Sequence, residues 1–309
     1  MKKSARNRII IWSIVSVVLV TVLVWSIFAV SLYKDSANLQ IFNSKISLSD
    51  FNDFKTGNAD FNAGDVNSVE VNWISGKVEV LYDDTDKITI TDSATDSDNK
   101  MYWNLDNNGN LEIYANKFEF NLISFGNKST PKNLTITIPK DKYFNDFNIN
   151  SASADIYADG INAKEIEIDT VSGCTEIKKL ECNDANINNA SGDINVFFTQ
   201  ANEIDVDTVS GKTYLSGKYD DLFVSSVSGE VTADVENENV QIDIETVSGI
   251  IELKLDENFS GFIAEYDKVS GNFESEFAGT SHDDSFVYGN ASETFDFETV
   301  SGNIKIVKK

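Results

Sequence analysis

The feature that most constrains this chain is a short phrase that returns at a nearly fixed interval. Asp-Thr-Val-Ser-Gly stands at 169–173 and 207–211, and Glu-Thr-Val-Ser-Gly at 245–249 and 298–302. Counting near misses, the Ser-Gly pairs in register with this phrase fall at Ser75-Gly76, Ser172-Gly173, Ser191-Gly192, Ser210-Gly211, Ser228-Gly229, Ser248-Gly249, Ser270-Gly271 and Ser301-Gly302, with Ser153-Ala154 a degenerate copy. From Ala154 the successive spacings are 19, 19, 19, 18, 20, 22 and 31 residues. A period near twenty is the signature of stacked repeats. Seven and five places before the glycine stand apolar residues such as Ile166 and Ile168, Ile204 and Val206, or Ile242 and Ile244. They return two and four places after it, as in Ile194 and Val196, or Ile304 and Ile306. Period-two alternation of β-branched residues means strand, so each repeat is strand, corner, strand. One such unit cannot bury its apolar face alone, whereas units stacked at ~4.8 Å place like over like and build a continuous core. The expected fold is all-β, a parallel β-solenoid of 19–20-residue repeats. Right-handed coiling follows the general hand of parallel crossovers.

At the corner, valine (Val171, Val209, Val247, Val300) is expected to turn into the core and serine to hydrogen-bond along the stack. Glycine is expected to hold a backbone angle that a Cβ resists. These are structural corners. A serine nucleophile needs a base beside it, and the one histidine, His282, lies in the irregular stretch AGTSHDDSFVYGN. No catalytic residue and no cofactor are expected.

Six and four places before the glycines run two outward columns rich in acid, among them Glu167, Asp169, Asp205, Asp207, Asp243 and Glu245. Carboxylates repeated at ~4.8 Å repel by about 1 kcal/mol even at a water-like dielectric. Hard cations such as Ca²⁺ bind clustered carboxylate oxygens, which makes these columns the candidate metal face. Simple solvation of an acidic wall is the alternative, since no compact ligand spacing appears.

Composition sets the address. From Ile9 to Tyr33 no residue is charged, enough to cross a ~30 Å hydrocarbon core as a helix. Lys2, Lys3, Arg6 and Arg8 precede this segment, so the positive-inside rule puts residues 1–8 in the cytoplasm and everything after the span outside. A signal peptide cleaved near Ala29–Ser31 is the rival reading, although its apolar region would exceed the usual 7–15 residues. All 50 acids lie beyond the span, against 21 lysines and no arginine, a net charge of −29. Nucleic acid is thereby excluded as a partner, and an anionic polymer would be repelled unless cations bridge.

The chain then divides into a polar stalk at 34–65 and a solenoid at 66–309. The solenoid contains an irregular, wider part at 83–145 and a phenylalanine-rich C-terminal cap at 272–309. Within the wider part, MYWNLDNNGNLEIYA reads as a hairpin, KNLTITIPKD as a strand, and polar 91–100 as a loop. The cap's aromatic rings cover the open end, or alternatively form a sugar-binding platform. Cys174 takes an outward position and Cys182 aligns with inward Ala163 and Ala201. Side chains on opposite sides of a wall cannot form a disulfide, so two free thiols are expected.

A strand pair with Ser-Gly, a middle region ending Leu-Thr-Ile-Thr-Ile-Pro, and serial Thr-Val-Ser-Gly units together resemble the bacterial "putative adhesin" family. This is a domain of unknown function built from β-strand repeats and found in LiaG-like envelope proteins. The resemblance covers about 66–309 and implies an extracytoplasmic β-solenoid, often with one N-terminal span in Gram-positive members. It supplies no catalytic motif. The expected function is a membrane-anchored surface binding or scaffold module whose partner is an envelope protein or wall component. The alternatives are a regulatory partner in envelope-stress sensing and a polysaccharide-degrading β-helix enzyme. The enzyme reading is weakened by the lack of arginine to hold acidic sugars.

Overall fold

The computed structural model describes residues 53–94, 100–115 and 131–309. Among them the regular secondary structure is β, apart from short 3-10 turns such as Ala63–Asp65. None contains a helix long and apolar enough to cross a membrane, and the expected span at 9–33 lies outside the described residues.

The array is parallel and in register. Strand Asp184–Ser191 lies between Ile161–Ser172 and the start of Ile194–Val235, with Ile187 opposite both Ile168 and Val206, and Ser191 opposite both Ser172 and Ser210. Stacking thus puts β-branched side chains over their own kind, which is why one face of every layer is dry. Ile166, Ile168, Ile204, Val206, Ile242 and Ile244 are all buried and belong to one continuous core. Cys182 is buried beside Ala163 and Ala201 while Cys174 is exposed, and both thiols are free.

Spatial order departs from chain order at both ends. The last strand, Glu293–Lys308, does not terminate the stack. It pairs in parallel with Gln241–Leu255, Gly302 opposite Gly249. On its other side it pairs with Gly261–Ser270 and Phe273–Ser275, Ser301 opposite Ser270. The long final spacing of the repeat is the detour that makes this possible: the chain skips one layer, builds the terminal one, and returns to fill the gap. The expected cap at 272–309 is therefore corrected. The end is covered by Gly261–Ser270 with its antiparallel partner Ser285–Gly289 and the short Thr280–Ser281, and Lys308 sits inside the stack opposite Leu255. The cap's rings pack on one another: Phe262 is buried with Phe277 at 5.5 Å and Phe295 at 5.3 Å. No flat aromatic platform is offered there by Phe259, Phe262, Phe277 or Phe286, all of which are buried.

The first repeat is treated likewise. Strand Ser68–Asp83 has Tyr143–Ala158 on one side, Gly76 opposite Ala154, and Asn110–Tyr114 with Lys132–Pro139 on the other. Antiparallel strands Tyr102–Leu105 and Lys87–Asp92 extend the sheet outward, then Lys55–Thr56 and Ala59–Asn62. The hairpin turns at Asp106–Gly109, with Asp106 accepting from the backbone N–H of Asn108 and Asn110. The segment expected as a stalk thus enters the sheet from residue 55, because Phe61 has a place to be buried, 5.0 Å from Trp103. The wide part also hides an ion pair: Lys132 and Asp92, 6% and 2% exposed, lie 3.4 Å apart, with Lys132 Nζ 5.0 Å from the Trp73 ring.

Candidate binding face

The corner shows how the outer face is made. Strand alternation continues up to the bend, so the inward residue is three places before the glycine. Ser151, Thr170, Asn189, Thr208, Ser226, Thr246 and Thr299 are all buried. Thr170 Oγ1 donates to the carbonyl of Ser172 at 2.9 Å, and Asn189 Oδ1 accepts from the N–H of Ser191 at 2.9 Å. Thr170 and Asn189 thereby brace the turn they precede. Valine, expected inside, faces outward: Val171 is 36% and Val269 74% exposed, with Val209, Val227, Val247 and Val300 half-buried. Parity along the strand overrides the polarity of the residue, and threonine rather than valine takes the interior site.

Serine and glycine tie layer to layer. Ser172 Oγ donates to the carbonyl of Ala152 and Ser210 Oγ to that of Ala190, both at 3.4 Å, and Ser270 Oγ to that of Val300 at 3.2 Å. Gly211 has φ +129° and a Cβ there would meet the carbonyl oxygen of Gly192; at Gly249 the angle is ordinary, but a Cβ would still strike the carbonyl of Gly229. What excludes a side chain is the closeness of the neighbouring layer as much as the backbone angle.

The outward columns stand on this scaffold. Four before the glycine, the spatial order is Asp169, Asn188, Asp207, Ser225, Glu245, Glu298, Asp267. Acid and neutral alternate as far as Glu245, and the neutral residues act as donors. Asn188 Nδ2 donates to Asp169 at 2.8 Å, and Ser225 hydrogen-bonds Asp207, each lowering the charge cost of its neighbour. Past Glu245 the spacers cease. Six before the glycine the same pattern runs through Glu167, Asn186, Asp205, Phe223, Asp243, Asp296 and Glu265.

Crowding shows in the acidities. Burial first, then Glu245 and Asp296, push the Asp243 carboxyl up to about 6. Burial, followed by Glu245, Asp243, Asp267 and Asp296, pushes Glu298 up to about 7. Burial also raises Glu167, Asp169, Asp205, Asp207 and Glu245 above the ordinary carboxylate range. The carboxylates stay in rows rather than converging: among the described residues no group of three or more His, Cys, Asp or Glu is placed to hold a metal ion. Sequence reasoning located both acidic columns. It missed the valine column beside them, although strict period-two counting through the corner would have found it.

Stacked layers, a braced corner and rows of like side chains define a solenoid-like repeat domain whose distinctive chemistry lies on one wall. The chain belongs to the Toastrack DUF4097 family, whose profile matches residues 65–307. No curated protein matches it. Among solved structures it is similar to a "putative adhesin" from Bacteroides fragilis, 14% identical, covering 82% of this chain and 97% of that one with a TM-score of 0.48. A "putative lipid binding protein" from Parabacteroides distasonis is 15% identical, covering 84% and 97%, with a TM-score of 0.46. A "putative cell adhesion protein" from Clostridium sporogenes is 14% identical, covering 82% and 100%, with a TM-score of 0.30.

Proposed function

We propose that this protein is a non-catalytic binding or scaffold module, tethered by residues 9–33 to a cell membrane and displayed on its outer side, with its layers coiling right-handed. The observation that carries the reading is the way polar side chains repeat in rows along a rigid stack. Catalysis needs groups converging on one point, whereas a partner laid along a surface needs the same group presented again and again. The corner hydroxyls of Ser172, Ser210 and Ser270 are committed to neighbouring carbonyls. The uncharged segment and the basic residues before it support the anchor and its orientation. The expected partner is an envelope protein or wall component.

Cell fractionation and surface crosslinking test this. The full-length chain should sediment with membranes, resist a high-salt wash and be cut by protease added outside intact cells. Photo-crosslinkers placed over both walls and the ends of the stack should recover the same envelope component in repeated trials. Recovery of the chain only in the medium, cleaved before residue 34, would remove the anchor. Release of reducing ends from acidic glycans would replace the module by an enzyme.

A further inference from the structure

The two walls of the stack treat charge differently. On the wall built by the second strand of each layer, acids have cations beside them: Glu252 pairs with Lys254 and Asp159 with Lys178, each at 3.3 Å, and Asp234 with Lys309. On the first-strand wall, Asp205, Asp207, Asp243, Glu245 and Glu298 stand in register, and no lysine among the described residues forms an ion pair with any of them. Nor does a lysine figure among the influences on their acidities, which are burial, neighbouring carboxylates and, for Asp207, the Ser225 hydrogen bond.

Beside these acids runs the outward valine column, Val209, Val227, Val247 and Val300, ending at Val269 on the last layer. Among the described residues the first four stay half-buried and Val269 is 74% exposed, so each keeps apolar surface toward solvent. Side chains two apart on a strand lie about 7 Å apart on the same face. The wall therefore presents a row of carboxylates and a parallel row of aliphatic groups, both running along the stack with a rise of ~4.8 Å per layer. Both rows are costs to the isolated molecule: uncompensated charge in a crowded setting and apolar surface left in water.

We propose that this wall is a docking face for a cationic amphipathic helix lying along the stack, its Lys or Arg side chains over the carboxylate columns and its aliphatic side chains over the valine column. The assignment rests on the reading of the protein as a binding module and adds which face is used and what it receives. Charge complementarity selects the occupant. A second copy of this chain brings another −29 beyond its span and no arginine, and an anionic polymer is repelled in the same way. Small cations alone leave the valines uncovered. A helix repeats every 5.4 Å along its axis, close to the layer rise, so an amphipathic helix can keep one stripe over each row for two to three turns.

The test uses the full-length chain in nanodiscs of zwitterionic lipid, with empty nanodiscs as the blank, and two labelled 18-residue peptides of identical Lys/Leu/Ala composition. In one the Lys and Leu form adjacent helical stripes; in the other the order is scrambled. The striped peptide should bind at least about tenfold more tightly than the scrambled one. That advantage should be lost in D207N/E245Q/E298Q and, separately, in V209S/V227S/V247S, with both variants melting no more than a few degrees from wild type. Equal binding of the two peptides, or an undiminished advantage in the valine variant, would reduce the face to nonspecific attraction and overturn the proposal. If the striped peptide fails to bind while surface crosslinking still recovers a partner, this face is wrong and the module reading survives. Failure of both removes both.

Discussion

At the scale of the residue, it is the serine and glycine of Thr-Val-Ser-Gly that answer the problem of stacking a sharp corner on its neighbour. Gly211 is the least replaceable, because a Cβ meets both an unfavourable angle and the carbonyl of Gly192. Gly211→Ala is expected to cost about 2 kcal/mol or more, read as a lower midpoint in urea. The buried hydroxyls of Thr208, Ser226, Thr246 and Thr299 find no partner among the described residues. Thr246→Val, which keeps the shape and removes the hydroxyl, should therefore raise stability by about 1 kcal/mol; a fall would show that the hydroxyl is satisfied.

Glu298 gives a pH dependence whose sign can be worked out. Its carboxyl is raised to about 7 by burial and by Glu245, Asp243, Asp267 and Asp296, so the folded chain holds that proton more tightly than the unfolded one. The proton-linked stability is fully present below the ordinary glutamate range and is lost as pH climbs from there through about 7. Thermal melts should show higher stability at pH 5.5 than at pH 8. Glu298→Gln should flatten the curve and gain about 1 kcal/mol at pH 8, a figure discounted for partial solvent screening. A melting temperature that falls steadily on acidification from pH 8 to 6 would contradict this.

At the scale of the element, the inserted strands lock both ends. Glu293–Lys308 is hydrogen-bonded on both sides, so it supports the cap strands and the regular array together. Deleting 293–309 would leave Gln241–Leu255 and Gly261–Ser270 with open edges, and such edges recruit other chains. The truncated chain is expected to elute as aggregate in size-exclusion chromatography. A monomer with an unchanged β-signal in circular dichroism would show that the cap closes without it. The insertion also sets Glu298 directly against Glu245, which makes the wall most crowded at this end.

At the scale of the whole molecule, acid dominates the field: −29 beyond residue 33, with the lysine ion pairs lying mainly on the second-strand wall and the ends. Raising NaCl from about 0.05 to 0.5 M shortens the Debye length from roughly 14 to 4 Å and should raise the melting temperature by a few degrees. Insensitivity to salt would mean that the acidic wall carries little strain.

Period, alternation and residue type sufficed to read the strand–corner–strand unit, the stacking, the acidic columns and the free thiols, because each depends on a pattern local to one repeat. The order of layers did not follow, since nothing in a repeat says whether its neighbour in space is its neighbour in the chain. Val209, expected inside on its polarity, yields that place to Thr208 by strand parity. Only the packed structure, in which the last strand returns between two earlier layers, set Glu298 between Glu245 and Asp267.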